Sequence, residues 1–241
     1  MKWAGKLFSS SLPMREALTR PFVFINSAMS ADGKISSFER SQVRISGQAD
    51  KARVDLLRAE SDAVMVGVGT VLADDPSLRM KSRSSREARR KRELPEDPLR
   101  IIADSRARTP PFAKVLGPGC ILAVTGSAPQ ERLDRLTPKC EIIVCGNEQV
   151  DLKELFSRLF DRGVKRLMVE GGATLNWSLL KLGLVDELYV YIGAMLIGGE
   201  TAPTLVDGPG FKEHFPRLTL SSAERLDEGV LLKWSLSSEL P

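Results

Sequence analysis

Short apolar runs, each closed by glycine, proline or small polar residues, alternate along the chain with stretches whose apolar positions repeat at helical spacing. PFVFINSAM (Pro21–Met29) reads as a buried strand that ends in the turn SADGK. ISGQADKARVDLLRAES then reads as a helix that Ser46 can cap. DAVMVGVGT is a second strand, apolar on both faces as in the middle of a covered sheet, and it runs into VLADDPSL, a short helical turn broken at Pro76. LRIIAD, CILAVT and EIIVCG are further strands. DLKELFSRLFDRG is a helix with Asp151 as its cap and Gly163 as its stop. RLMVE is a strand, GATLNWSLLKLG a helix and DELYVYIGAML a long strand. RLTLSSAERLDEGVLLKWSL closes the chain as two strands of a hairpin turning at Asp227–Gly229.

This alternation predicts an α/β fold: a mixed, mostly parallel sheet with helices on both faces and an antiparallel C-terminal hairpin. The expected organisation is an N-terminal extension over residues 1–20 and a single domain over 21–241. Ligands of such sheets bind beyond the C-terminal ends of the strands. Three loops fall there: Gly67–Asp75, Thr125–Gln130 and Glu170–Thr174.

Charge changes this picture in one place. The net charge is +4, and the segment from Lys81 to Asp97 carries seven basic and four acidic residues, so most of the excess sits in one charged insertion. Its spacing reads as a solvated loop or a short charged helix, with phosphate binding at its near end as the competing role. Basic residues are not interleaved with aromatics, which make up 6% of the chain, so a nucleic-acid partner is not expected. No apolar stretch approaches the ~20 residues of a membrane span, and the first residues lack a secretory pattern. Together with the odd number of cysteines (Cys120, Cys140 and Cys145) this predicts a cytoplasmic protein with reduced thiols. The single histidine, His214, makes triad and His-rich zinc chemistry improbable.

Two glycine turns carry the candidate chemistry. GVGTVLADD puts Gly67 and Gly69 at a strand end, with Thr70 at a helix start and Asp74 one turn later. EGGATL does the same at another strand end, where free amides of a helix N-terminus attract an anion. Either turn alone reads first as a device for tight strand-to-helix packing; two at one sheet edge shift the reading toward a phosphorylated ligand. Glu170, directly before Gly171, is an odd companion for a phosphate. Asp74 and Asp75 lack a third ligand, so no metal is expected. The dinucleotide fingerprint GxGxxG is missing.

Taken in order, NSAMSADGKIS, RISG, LLRAESDAVMVGVGTVLADDPSL, LRIIADS, VEGGATLNWSLL and LVDEL…LIGGETAPTLVDG resemble the riboflavin-biosynthesis reductases, closest to the archaeal 2,5-diamino-6-ribosylamino-4(3H)-pyrimidinone 5′-phosphate reductases. The resemblance spans about Pro21 to Trp234. The cysteine and histidine motif of the related bacterial deaminase half is absent, so only a reductase is implied. It implies a dihydrofolate-reductase-like fold, a homodimer, a small phosphoribosylaminopyrimidine substrate and NADPH as hydride donor. Carried onto this chain, the cofactor side comprises Ala28, Arg44, Gly67, Thr70, Asp74, Ser105 and the loop Gly171, Gly172, Ala173, Thr174, Leu175. The substrate side comprises Asn26, Gln42, Arg58, Leu78 and Glu170, with Arg79 or Lys81 meeting the ribose phosphate. Lys34, Asp32 and Asp75 are the candidate proton donors, beside water. A dihydrofolate or pterin reductase on the same fold and a non-catalytic nucleotide-binding module are the alternatives.

Overall fold

The computed structural model describes residues 19–236, so most of the expected N-terminal extension lies outside the described residues. Nine strands and six helices follow in the order β1 (Phe22–Ser30), α1 (Gln48–Ala59), β2 (Ala63–Gly67), α2 (Val68–Asp74), α3 (Arg83–Lys91), β3 (Leu99–Ala103) and β4 (Cys120–Val124). Then come α4 (Gln130–Leu136), β5 (Glu141–Val144), α5 (Leu152–Asp161), β6 (Arg166–Val169), α6 (Ala173–Lys181), β7 (Glu187–Gly193), β8 (Leu218–Leu226) and β9 (Gly229–Leu236). They form one sheet in the order β5-β4-β3-β2-β6-β1-β7-β9-β8. All pairings from β5 to β7 are parallel; β9 runs antiparallel to β7 and β8 antiparallel to β9. This is the mixed, mostly parallel sheet with a C-terminal hairpin that the pattern predicts.

The alternation of side chains along a strand sorts the core into two layers. Val23, Ile25, Met65, Ile101 and Val169 pack on one face with Leu155, Phe156 and Leu159 of α5 and Leu175 and Leu179 of α6. Phe24, Val64, Val66, Ile102 and Met168 pack on the other with Val71 of α2 and Leu136 of α4. Strands covered on both faces need apolar residues at every position, which is why AVMVG and CILAV read as unbroken apolar runs. α5 follows its sequence signals: the Asp151 carboxylate accepts from the amides of Lys153 and Glu154, and Gly163 sits at φ +89° beyond its end.

Three local readings are corrected, and one helix has no counterpart in the sequence reading. The second strand stops at Gly67, where its pairing with β3 ends, and Val68 already belongs to α2. The seventh strand stops at Gly193, where its pairing with β1 ends, and the chain turns off to Met195. Helix α4 has no strong sequence signal and packs by Leu133 and Leu136 alone. Ser46 does not cap α1: Gly47 is the cap residue, and the carboxylate of Asp227 accepts from the amides of Ala49 (3.2 Å) and Asp50 (3.1 Å). A Cβ on Gly47 would lie 2.4 Å from Asp227 Oδ2, so only glycine admits the hairpin turn to the helix end.

The charged segment is a helix, α3, but not merely a solvated one. Arg89 is 3% exposed, and its guanidinium donates to the carbonyls of Ala59, Ser61 and Pro95. These bonds fasten α3 to the end of α1.

Two substitutions probe these anchors. Asp227→Ala removes the carboxylate that caps α1 across the fold and is expected to cost about 1 kcal/mol in urea unfolding. Arg89→Ala leaves three carbonyls without their donor and is expected to cost about 3 kcal/mol. If α3 were only a solvated element, Arg89→Ala would fall within roughly 0.5 kcal/mol of wild type.

Candidate active site

β6 has only four residues and pairs with β1 over Phe22–Ile25 and with β2 over Ala63–Met65. β1 continues to Ser30 with β7 as its neighbour, so a gap opens beside it where β6 ends. The chain leaving β6 turns there. Three hydrogen bonds stitch its turn to the end of β2: Glu170 N–H donates to the Met65 carbonyl (2.9 Å), Gly67 N–H to the Gly171 carbonyl (2.9 Å), and Gly172 N–H to Thr70 Oγ1 (3.1 Å). Gly171 sits at φ +88°, and a Cβ on Gly172 would come within 3.0 Å of Thr70 Oγ1. Gly171 is therefore favoured by its positive φ, and a side chain at 172 would crowd the Thr70 hydroxyl where the two turns meet.

A cavity of about 1370 Å³ fills this gap. On one side lie Gly67, Thr70 and Asp74, with Ser105 and the stretch Gly171–Leu175. α6 begins at Ala173 without a side-chain cap, so its first amides and its dipole present partial positive charge to the cavity. Gly69 leaves open space where a Cβ would stand. Asn176, 1% exposed, donates from Nδ2 to the Leu205 carbonyl, while its Oδ1 has no partner among the described residues and lies beside Gly171. The open glycine, the uncapped helix and the orphaned amide oxygen fit a cofactor that carries a pyrophosphate and an amide. Burial pushes the Asp74 carboxyl above the usual carboxylate range. Of the cofactor-side candidates, Arg44 is exposed and does not line the cavity. The Thr125–Gln130 loop contributes nothing to it either. Arg108, not expected from the sequence, lines it beside Ser105.

The opposite side is organised by α1. Arg58 grips Glu170 with two bonds, Nε to Oε1 (2.6 Å) and Nη2 to Oε2 (2.7 Å), and its Nη1 donates to the Arg79 carbonyl (3.0 Å). Burial opposes the guanidinium charge, but the carboxylates of Glu170, Asp55 and Asp97 together outweigh this and raise its pKa. Glu170 is therefore oriented by an arginine and is not a free carboxylate reaching across the cleft. One turn earlier, Asp55 accepts from the amides of Lys81 (2.6 Å) and Ser82 (3.1 Å). Arg53 bridges Asp50 Oδ1 and Asn26 Oδ1, both at 2.7 Å. Asn26, Ala28, Gln42 and Lys81 all line the cavity.

Other candidates point elsewhere. Leu78, at φ 54° and 1% exposed, is buried in the core. The Arg79 guanidinium turns toward the Leu116 carbonyl (3.4 Å) and lines no part of the cavity, so of the two phosphate candidates only Lys81 lines it. None of the three proton-donor candidates lines the cavity. Asp32 ties Ser30 Oγ to the amides of Ile197 and Gly198, Lys34 Nζ donates to the Ala202 carbonyl, and Asp75 accepts from the amide of Lys114 and pairs with its ammonium. Each braces a loop. Asp50, Asp55 and Arg53 escaped the sequence reading because charged residues on a helix read by default as a solvated face; the i,i+3 spacings of Asp50 with Arg53 and of Asp55 with Arg58 were the available signal.

Among the described residues no helix is long and apolar enough to cross a membrane. The family described as the RibD C-terminal domain matches residues 21–232. A 2,5-diamino-6-ribosylamino-4(3H)-pyrimidinone 5′-phosphate reductase of Archaeoglobus fulgidus is 47% identical over 212 residues, covering 87% of this chain and 95% of the relative. One of the same name from Methanothermobacter thermautotrophicus is 44% identical over 221 residues, covering 90% and 99%. The solved structure of the Saccharomyces cerevisiae riboflavin biosynthesis reductase Rib7 superposes with a TM-score of 0.65 at 25% identity, over 93% of each chain. With its reductase relatives matched over nearly their whole length, this chain belongs to the RibD C-terminal domain family.

Proposed function

We propose that the protein reduces the ribosyl group of 2,5-diamino-6-ribosylamino-4(3H)-pyrimidinone 5′-phosphate to the ribityl group, with NADPH, in riboflavin biosynthesis. The observation that carries this reading is one cavity with two unlike walls: glycine turns and an uncapped helix on one side, and an oriented carboxylate with an exposed lysine on the other. The relatives named as reductases of this substrate support it.

The substrate's ribosylamine opens to an imine, and NADPH when bound supplies the hydride that C1′ accepts. The chain's own residues position the partners. Gly171–Leu175 face the cofactor phosphates with backbone amides. Glu170, held by Arg58, accepts from the amino and ring N–H groups of the pyrimidine. Lys81 meets the ribose phosphate. With Asp32, Lys34 and Asp75 tied to loops outside the cavity, the proton for the released sugar oxygen comes from water. A homodimer is part of the proposal, supported by apolar side chains left on the surface, among them Phe38, Leu196, Leu218 and Leu220.

NADPH absorbance followed with the pyrimidinone phosphate and, separately, with dihydrofolate tests the reading. Oxidation is expected with the first substrate alone; the reverse outcome, or cofactor binding without turnover of either, sinks it. Glu170→Gln is expected to lower kcat/KM for the pyrimidinone about 10- to 100-fold while NADPH affinity stays within about twofold, since a charge-assisted hydrogen bond is worth roughly 1.5–3 kcal/mol.

Asp32 offers a pH test of its bracing role. Hydrogen bonds from the Ser30 hydroxyl and the amides of Ile197 and Gly198 hold its pKa at about 2, below the ordinary 3.8. A depressed folded pKa stabilises above the unfolded value and loses that effect as pH falls through about 2. Asp32→Asn should therefore lower the unfolding midpoint above about pH 4, converge with wild type toward pH 2, and leave kcat unchanged at neutral pH. A collapse of kcat would restore Asp32 as proton donor.

A further inference from the structure

Asp55 is 8% exposed, and both of its carboxylate oxygens are engaged. They accept from two consecutive backbone amides, those of Lys81 and Ser82, at the point where the chain enters α3. Three features show that this is more than a local turn. First, the two amides lie 26 and 27 residues further along the chain, so the contact sets where the segment stands relative to α1. Second, the residues just before it are fixed independently: Leu78 and Met80 are buried at 1% and 0%, and the Arg79 carbonyl accepts from Arg58. Third, Lys81 and Ser82 line the cavity, and the Lys81 side chain is exposed there with no ion pair among the described residues. A cation left free at the mouth of a cavity is available to an anionic group of a ligand.

We infer that Asp55 is a positioning residue for substrate: by gripping the Lys81–Ser82 backbone it presents the Lys81 ammonium to the phosphate of the sugar. This rests on the reading given under Proposed function and extends it to a residue whose two carboxylate oxygens are already committed to backbone amides. Asp55 and Arg58 stand three residues apart on one helix. α1 therefore sets two substrate contacts from a single face: Glu170 through Arg58, and Lys81 through Asp55. The geometry asks for a carboxylate specifically. An asparagine at this position has one acceptor oxygen, and its NH2 would face a backbone N–H, donor against donor. A glutamate keeps both oxygens at the cost of one methylene.

The test compares Asp55→Asn and Asp55→Glu with wild type in three measurements: KM and kcat for the pyrimidinone phosphate, Kd for NADPH, and calorimetric Kd for ribose 5-phosphate. For Asp55→Asn, KM and the ribose 5-phosphate Kd are expected to rise about 10-fold, the effect of one hydrogen-bonding donor left unpaired. The expected kcat and NADPH Kd stay within about threefold of wild type, and Asp55→Glu is expected to recover part of the loss. A general structural role would instead move NADPH affinity and kcat together with KM, and that outcome overturns the proposal. So does an unchanged ribose 5-phosphate Kd in Asp55→Asn, or no binding of ribose 5-phosphate to wild type. Because that binding is read without turnover, a wild type that fails to oxidise NADPH removes the functional reading alone and leaves the comparison decisive. Should Asp55→Asn fold poorly, Lys81→Ala carries the same ribose 5-phosphate comparison: an unchanged Kd there overturns the proposal, and a rise of similar size supports it.

Discussion

The structure depends on a backbone junction between two strand ends. β2 and β6 leave the sheet in step, and the amides of Glu170, Gly67 and Gly172 are each satisfied by the other strand's turn. Buried peptide groups must find partners, so two chain ends that stop together in the middle of a sheet have to solve the problem jointly. The solution fixes the site. It favours glycine where the turns touch, leaves the start of α6 uncapped beside the gap, and brings Glu170 out at the edge of the cavity.

α1 answers the junction from across the gap. It puts Asp50, Arg53, Asp55 and Arg58 on or near its inner face, where most helices of this kind put apolar residues. A partly buried ion pair such as Arg58–Glu170 contributes little net stability, since desolvation offsets most of its attraction. Its value lies in orientation. A carboxylate held by two bonds from one planar guanidinium has a fixed direction, which a flexible side chain facing water does not. The helix itself is aligned by a carboxylate from the far end of the chain, Asp227, so the C-terminal hairpin and the ligand cavity are mechanically joined through a cap.

The strands and the two glycine turns were legible in the sequence because each is a local property. Apolar runs bounded by glycine and proline carry their own signal, as do Asp151 before α5 and Gly163 after it. The association of Gly67 and Thr70 with Gly171–Leu175 was also legible, since both turns follow strands that must end on the same side of a parallel sheet. The direction of individual side chains was not. Arg79 and Lys81 are two residues apart and equally basic, yet one guanidinium turns to the Leu116 carbonyl and the other side chain stands at the cavity. Asp32, Lys34 and Asp75 have the chemistry of proton donors, but the loops that close around 195–203 and 114 claim them.

The amino-acid order by itself determined the succession of strands, the sheet type and the family, because periodicity, turn residues and motif spacing are written in neighbouring positions. The tertiary structure alone decided which charges are structural and which are free. That choice depends on partners far away in the chain: Asp227 for α1, Lys81 and Ser82 for Asp55, and Arg58 for Glu170. A carboxylate's role follows from which donors surround it, and only folding brings those donors within reach.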